Sequence, residues 1–192
     1  MDYYKALRPD GTDFATGTTK PRKERWMPRI KGTLVMCERG YHVSDAPAET
    51  LLGGSWPCKL ARVEIPDGEW EREDHKLVVP TYRVVEWLPA WQALGPNGEA
   101  VAALIDRAGR LTPNEIERLS AAWSAAWSAA GTAAGAAAWS AAGSAAWSAA
   151  VSAAWSAAWS AAGSLVVRDL ITPEQFDILY GPWASVMEAN HG

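Results

Sequence analysis

SAAWSAAWSAAGTAAGAAAWSAAGSAAWSAAVSAAWSAAWSAAGS, residues 120–164, repeats the tetrad Ser-Ala-Ala-X eleven times in unbroken register. The fourth positions are Trp123, Trp127, Gly131, Gly135, Trp139, Gly143, Trp147, Val151, Trp155, Trp159 and Gly163, and only Thr132 and Ala136 replace Ser at the first. No charged residue lies between Arg118 and Arg168. A repeat of this kind is read before anything else, because it sets the architecture. It holds no group able to carry acid–base, metal or phosphate chemistry, so it speaks to construction and not to catalysis.

Alanine is the strongest helix former, and each repeat glycine costs only about 1 kcal/mol against it, so the tract predicts α-helix. Thr112-Pro113-Asn114-Glu115 supplies a start signal, with a capping Thr, a proline at the first helical position and Glu at the third. One helix over 113–164 would be about 75 Å long at 1.5 Å per residue, so it is a stalk or it breaks at the glycines. A step of four overshoots a turn by about 40°, and the Trp/Gly stripe therefore winds around the helix with right-handed sense. The Ser and Ala columns form small-xxx-small ladders that let helix backbones approach closely.

A packing helix is the first reading: its Ala/Trp surface is buried against the rest of the chain or against copies of itself. Membrane insertion is the second, since the tract is uncharged and long enough to span. Against it stand the recurring Ser, the absence of Leu, Ile and Phe, and the preference of Trp for the interface. A short-repeat β-solenoid is the third, opposed by the poor strand propensity of Ala. A stacking platform for single-stranded nucleic acid needs a basic groove, and the tract has neither Lys nor Arg.

Working outward, a chain of 192 residues with net charge −4 gives no support for general binding to nucleic acid or anionic membranes. MDYYKAL, at the N-terminus, has no apolar core of a secretory signal, and Cys37 and Cys58 make no disulfide framework, so a reduced, cytoplasmic setting is expected. Lys20, Arg22, Lys23, Arg25, Arg29 and Lys31 form a basic stretch that reads as a solvated loop.

Short strands and turns fill the first 90 residues. Tyr3–Leu7 reads as a strand closed by the turn Arg8-Pro9-Asp10-Gly11. Thr33–Met36 and Tyr41–Val43 read as two strands around Glu38-Arg39-Gly40. Ala46–Leu52 predicts one or two helical turns capped by Ser44 or Asp45. Leu60–Ile65 alternates as a half-buried strand does; Leu77–Val79 and Tyr82–Trp87 are a strand pair or one bent strand, with Pro80 at a bulge or edge. Ala100–Ala108 predicts a linking helix. After the repeat, Thr172-Pro173-Glu174-Gln175 is a second capped start, with a stop at Gly181-Pro182 and a last short helix from Trp183 to about Ala189.

Cys37, His42, Cys58 and His75 are zinc-ligand types, but no CxxC or HxxxH spacing joins them, and the plain reading is two small thiols and two ordinary histidines. Cys with His also suggests a nucleophile, yet no orienting Asn or Asp is marked by pattern. Glu69, Glu71, Glu73 and Asp74 around Trp70 read as a solvated hairpin tip.

KALRPDGTDF, CERGYHVSDAPAETL, PCKLARVEIPDG, HKLVVPTYRVVEWLP and LVVRDLITPEQFDILYGPW together resemble uncharacterised proteins of actinobacteria and their phages, in which a small domain precedes Ala-Ala-Trp-Ser tetrads. That resemblance spans most of the chain and implies a phage or prophage context without an activity. A weaker one, on Gly40-Tyr41-His42-Val43-Ser44-Asp45 and Leu60–Ile65, is to ADP-ribosyltransferase folds, and it would imply Arg8, Ser44 and Glu86 as the catalytic candidates.

The expectation is thus an α+β protein: a small mixed domain over 1–95, a linker with a short helix over 96–112, the helical repeat over 113–164, and short capping helices over 165–192. Its expected function is structural or interaction-based, the repeat driving self-assembly through Trp123, Trp127, Gly131, Gly135, Trp139, Gly143, Trp147, Val151, Trp155 and Trp159. No catalytic residue, metal or cofactor is expected, and the partner is a second copy or another protein, in the host cytoplasm or on a virion. The alternative is a ligand-binding or transferase-like front domain for which the repeat is scaffold.

Overall fold

A computed structural model of the chain describes residues 1–68, 70–126 and 153–188. They fall into two compact units, Met1–Gly95 and Pro96–Gly192. The protein is α+β, with an antiparallel sheet in the first unit and helices in the second.

Six strands build the first unit: β1 (Tyr3–Leu7), β2 (Tyr41–Ser44), β3 (Lys59–Glu64), β4 (Glu71–Glu73), β5 (Lys76–Val79) and β6 (Arg83–Leu88). Their order is β4-β5-β2-β1-β3-β6. Only Pro80, Thr81 and Tyr82 join β5 to β6, which stand four places apart. In a flat sheet that separation is about 19 Å at 4.8 Å per strand, beyond the roughly 14 Å that four peptide steps can reach. The sheet must therefore curl until the end of β5 meets the start of β6. The basic stretch is laced along this bend: Glu24, Met27 and Ile30 donate their amides to the carbonyls of Val84, Tyr82 and Pro80 at 2.7, 2.8 and 2.9 Å. β5 and β6 do not pair with each other, so Pro80 belongs to a bend and not to a hairpin.

Curling gives the sheet an inner face, where Val43, Ala61, Val63, Leu77, Val79, Tyr82 and Val84 are buried together. Ala6, Cys58, Leu60 and Ala93 form a second cluster, covered by Phe14, Leu51 and Trp56. β3 is accordingly buried on both faces at its start, at Leu60 and Ala61, where the alternation of its sequence suggests one. The covering comes from the 3₁₀ turns Ala48–Gly53 and Ala90–Leu94.

Two expectations for this unit are corrected. Thr33–Met36 is not a strand; Val35 and Arg39 form an isolated bridge around a tight turn in which Cys37 takes φ 64°. The chain reverses too soon after Val35 for a second pairing to form. Nor does Ser44 or Asp45 cap a helix: Ser44 ends β2, the turn starts at Ala48 after Pro47, and the Asp45 carboxylate is engaged by Arg72 and His75. Glu71 and Glu73 of the acidic run lie on β4, paired along β5, with Asp74 turning the hairpin at φ 49°.

In the second unit, α1 (Gly98–Ala108) presents Val101, Leu104 and Ala108 inward, one face of a helix. The next helix, α2, covers residues 113–126 of the described chain. Its expected cap is present: Glu115 N–H donates to Thr112 Oγ1 at 3.3 Å, and Thr112 N–H and Oγ1–H return bonds to Glu115 Oε2, both at 2.9 Å. Arg107 pairs with the other carboxylate oxygen. The backbone and side-chain bonds from Thr112, then Arg107, hold the Glu115 carboxyl down at about 2. A carboxyl depressed by folding contributes stability that is complete above its unfolded value, near 4.5, and is lost as pH falls toward 2. In thermal melts from pH 5 to 2, wild type should therefore lose more melting temperature than Glu115→Gln; parallel profiles would contradict the geometry.

Helix α3 (Ala153–Val166) is the last part of the repeat and packs on α1 and α4 (Pro173–Met187). Ala157, Ala158, Ala161, Ala162 and Leu165 are buried, and so are Ser160 and Ser164. Ser164 Oγ donates back to Ala161 O at 2.8 Å, whereas Ser160 Oγ has no partner among the described residues. α4 opens on a second capping box, with Gln175 N–H on Thr172 Oγ1 at 3.3 Å and Thr172 N–H on Gln175 Oε1 at 2.9 Å. The expected stop at Gly181-Pro182 is wrong: α4 continues through Pro182 to Met187, and no separate helix starts at Trp183. Gly181 has no Cβ for the proline ring to strike, and burial of Pro182, Trp183, Val186 and Met187 outweighs the one lost backbone bond.

Candidate functional site

β1 carries the site because its alternation is unusual. Tyr3, Lys5 and Leu7 point one way, Tyr4 and Ala6 the other. Lys5 thereby shares the inner face, and its ammonium lies 5.5 Å from the centroid of the Tyr82 ring. The ladder is thin beside it: β1 and β2 pair at Tyr4–Ser44, whereas β1 and β3 pair at five positions. Lys5 Nζ bridges the opening by donating to the His42 carbonyl at 2.8 Å. A cavity of about 210 Å³ opens at this seam, walled by β1, β2, the segment 13–15 and the turn Ala48–Gly53.

Several basic groups line it. Burial, opposed by Asp13 and reinforced by Lys76, brings Lys5 down to about 8. Burial, then the charges of Lys76 and Lys5, brings His42 down to about 4. The neutral ring accepts at Nε2 from the Cys37 amide, 2.9 Å away, so its proton sits on Nδ1. Lys76 reaches in from β5 and donates to Cys37 Sγ at 3.2 Å. Asp13 is buried in the wall: burial raises its carboxyl, but bonds from Thr16 N and Oγ1 and from Thr19 N, at 2.7, 2.6 and 3.1 Å, outweigh that and leave it below its ordinary range. Ser44 and Glu49 also line the cavity, and Phe14, Ala6 and Leu52 give it an apolar side.

Cys37 and His42 do meet, but not as a nucleophile and its base. The acceptor nitrogen of His42 is occupied by a backbone amide and is not available to take a thiol proton. Cys58 is packed with Leu60, and His75 Nδ1 lies 2.9 Å from Asp45 Oδ1. Among the described residues no group of three or more His, Cys, Asp or Glu is placed to hold a metal ion.

Of the three transferase candidates, Ser44 lines the cavity and the others do not. Arg8 donates to the Phe14 carbonyl at 3.2 Å, and Glu86 pairs with Arg62 across the β3–β6 edge. No common reaction centre follows from them. The proposed interaction stripe is placed only at its ends. Trp123 is half-buried on α2, Trp155 lies in the first turn of α3, and Trp159 is half-buried there. Trp127, Gly131, Gly135, Trp139, Gly143, Trp147 and Val151 lie outside the described residues. No described helix is long and apolar enough to cross a membrane.

The sequence reading passed over Lys5. Its signal was a lysine between tyrosine and leucine on one face of a strand, where a core position is expected. Compared with family models, with curated proteins and with solved structures, the chain matches none.

Proposed function

We propose that the first unit is a small-molecule-binding domain and that the tetrad helix serves the second unit as packed scaffold. The observation carrying this reading is the seam cavity: about 210 Å³, opened by a one-position ladder between β1 and β2 and furnished with lysine and histidine on one side and apolar groups on the other. Sites of this make, concave and apolar with a few convergent polar groups, are where small ligands bind. The scaffold role is supported by the Ala157, Ala158, Ala161 and Ala162 columns, which are already covered within the second unit.

Gly53 provides the test. It lines the cavity, and a Cβ added there meets nothing within 4 Å. Amide NMR of the full chain is recorded against a fragment set of small carboxylates, phosphates, amines and neutral polyols. At least one class should shift Tyr4, Lys5, Ser44 and Thr50 saturably in wild type and fail to do so in Gly53→Leu. A set that moves none of these amides overturns the reading.

A second reading retains self-assembly of a phage-type structural protein through the repeat. It is favoured by the uncharged run between Arg118 and Arg168, far longer than α3 alone. Light scattering decides it: a concentration-independent monomer removes it, and a defined oligomer that disappears when the tetrads are shortened supports it.

A further inference from the structure

We propose, resting on the cavity being a ligand site, that its ligand is a small organic anion whose carboxylate or phosphate group sits between the ammonium groups of Lys5 and Lys76. Both lysines line the same cavity from different strands and opposite faces, Lys5 from the inner face of β1 and Lys76 from the face of β5 opposite Leu77 and Val79, so they meet across the thin seam. Each has a weak or neutral acceptor where a counter-charge is expected: Lys5 has the His42 carbonyl at 2.8 Å, and Lys76 has Cys37 Sγ at 3.2 Å. Among the described residues neither has a carboxylate within ion-pair distance.

Acids stand nearby, but among the described residues none forms an ion pair with either lysine: Glu73 lies opposite Lys76 in the β4–β5 ladder, and the charge of Asp13 acts on Lys5 only from beyond contact. Asp13 spends its oxygens on Thr16 and Thr19, and Glu49 lines the wall without an ion pair to either lysine. The charges of Lys5 and Lys76 consequently oppose each other: burial lowers Lys5 and the charge of Lys76 lowers it further, while burial and the two lysines keep His42 neutral. Like charges brought together at a part-buried site without an ion-paired carboxylate raise the free energy of the empty state, and a bound anion relieves that repulsion. The Ser44 hydroxyl can add a hydrogen bond. Phe14, Ala6 and Leu52 suit a short apolar tail, and about 210 Å³ is below the size of drug-like pockets, which limits the ligand to a few heavy atoms.

Butyrate and butanamide are the probes, being alike in shape and different in charge. Titrated into the full chain at pH 7 with amide NMR as readout, butyrate should bind at least tenfold more tightly than butanamide, with shifts at Lys5, Ser44 and Lys76. Sulfate should compete with it. Lys5→Met and, separately, Lys76→Met should bring the two probes to equal affinity; both variants are checked for wild-type amide dispersion, and either one that remains folded suffices. Equal affinity in wild type overturns the anion while leaving the ligand site in place. Shifts from neutral or amine fragments alone do the same. Failure of every fragment overturns both readings together.

Discussion

Gly40→Ala should cost the first unit about 3 kcal/mol or more, enough to unfold most small domains of ordinary stability. Gly40 enters β2 at φ 138°, a conformation that a residue with a side chain rarely adopts. A Cβ there would stand 2.2 Å from Val78 Cγ2 and 3.3 Å from the Val79 carbonyl. Val78 is fully buried on β5, the strand that pairs with β2, so neither the methyl nor the backbone can retreat without breaking the ladder. Gly68→Ala is the control. Its φ is 69°, equally unsuited to alanine, but a Cβ meets nothing within 4 Å, so only the backbone strain of about 1 kcal/mol is expected. Urea unfolding read at the amides of Tyr41–Ser44 and Lys76–Val79 separates the two. If both variants lose the same stability, the close approach of Gly40 to β5 is wrong.

The second large effect belongs to the repeat. Ala161→Leu should remove about 3 kcal/mol from the second unit, at the upper end of what overpacking costs. Ala161 is fully buried on α3, with Ala157 one turn before it, and α3 packs on both α1 and α4. An isobutyl group has no space where the alanine methyl is already fully covered, and the helices must separate to admit it. Ala125, also at a second or third tetrad position but exposed on α2, should accept leucine within about 0.5 kcal/mol. Far-UV circular dichroism in urea measures both. Equal tolerance at 161 and 125 would mean that the small residues are not the packing surface.

In the described end of the repeat, the buried surface is made by the Ala columns together with Ser160 and Ser164, while Trp159 is only half-buried. Small-xxx-small spacing was legible, and so was its consequence of close approach. Which copy of the chain supplies the opposing surface was not: here α1 and α4 of the same chain do so.

The sequence is legible where a few neighbouring residues settle the structure among themselves. Both Thr-Pro starts carry their capping boxes, because a threonine and a residue three places on satisfy each other within one turn. The strands at Tyr3–Leu7 and Lys59–Glu64 follow from alternation and flanking turns. Pro182 misled because a proline in isolation opposes a helix, whereas here four buried side chains hold the helix across it. Thr33–Met36 misled because its residues suit a strand but the chain offers it no neighbour to pair with beyond Arg39.

By itself, then, the sequence determined the α+β class, the helix starts and the uncharged Ala/Ser/Trp tract, since propensity, capping and periodicity act over a few residues. Tertiary structure alone decided the curl of the sheet, the thin seam between β1 and β2, and the convergence of Lys5 with Lys76, 71 positions apart. The physical reason is that a short β5–β6 connection can be met only by bending the sheet, and bending places side chains from separate strands around one cavity. No local preference encodes that closure; it arises from the free energy of burying the inner face as a whole.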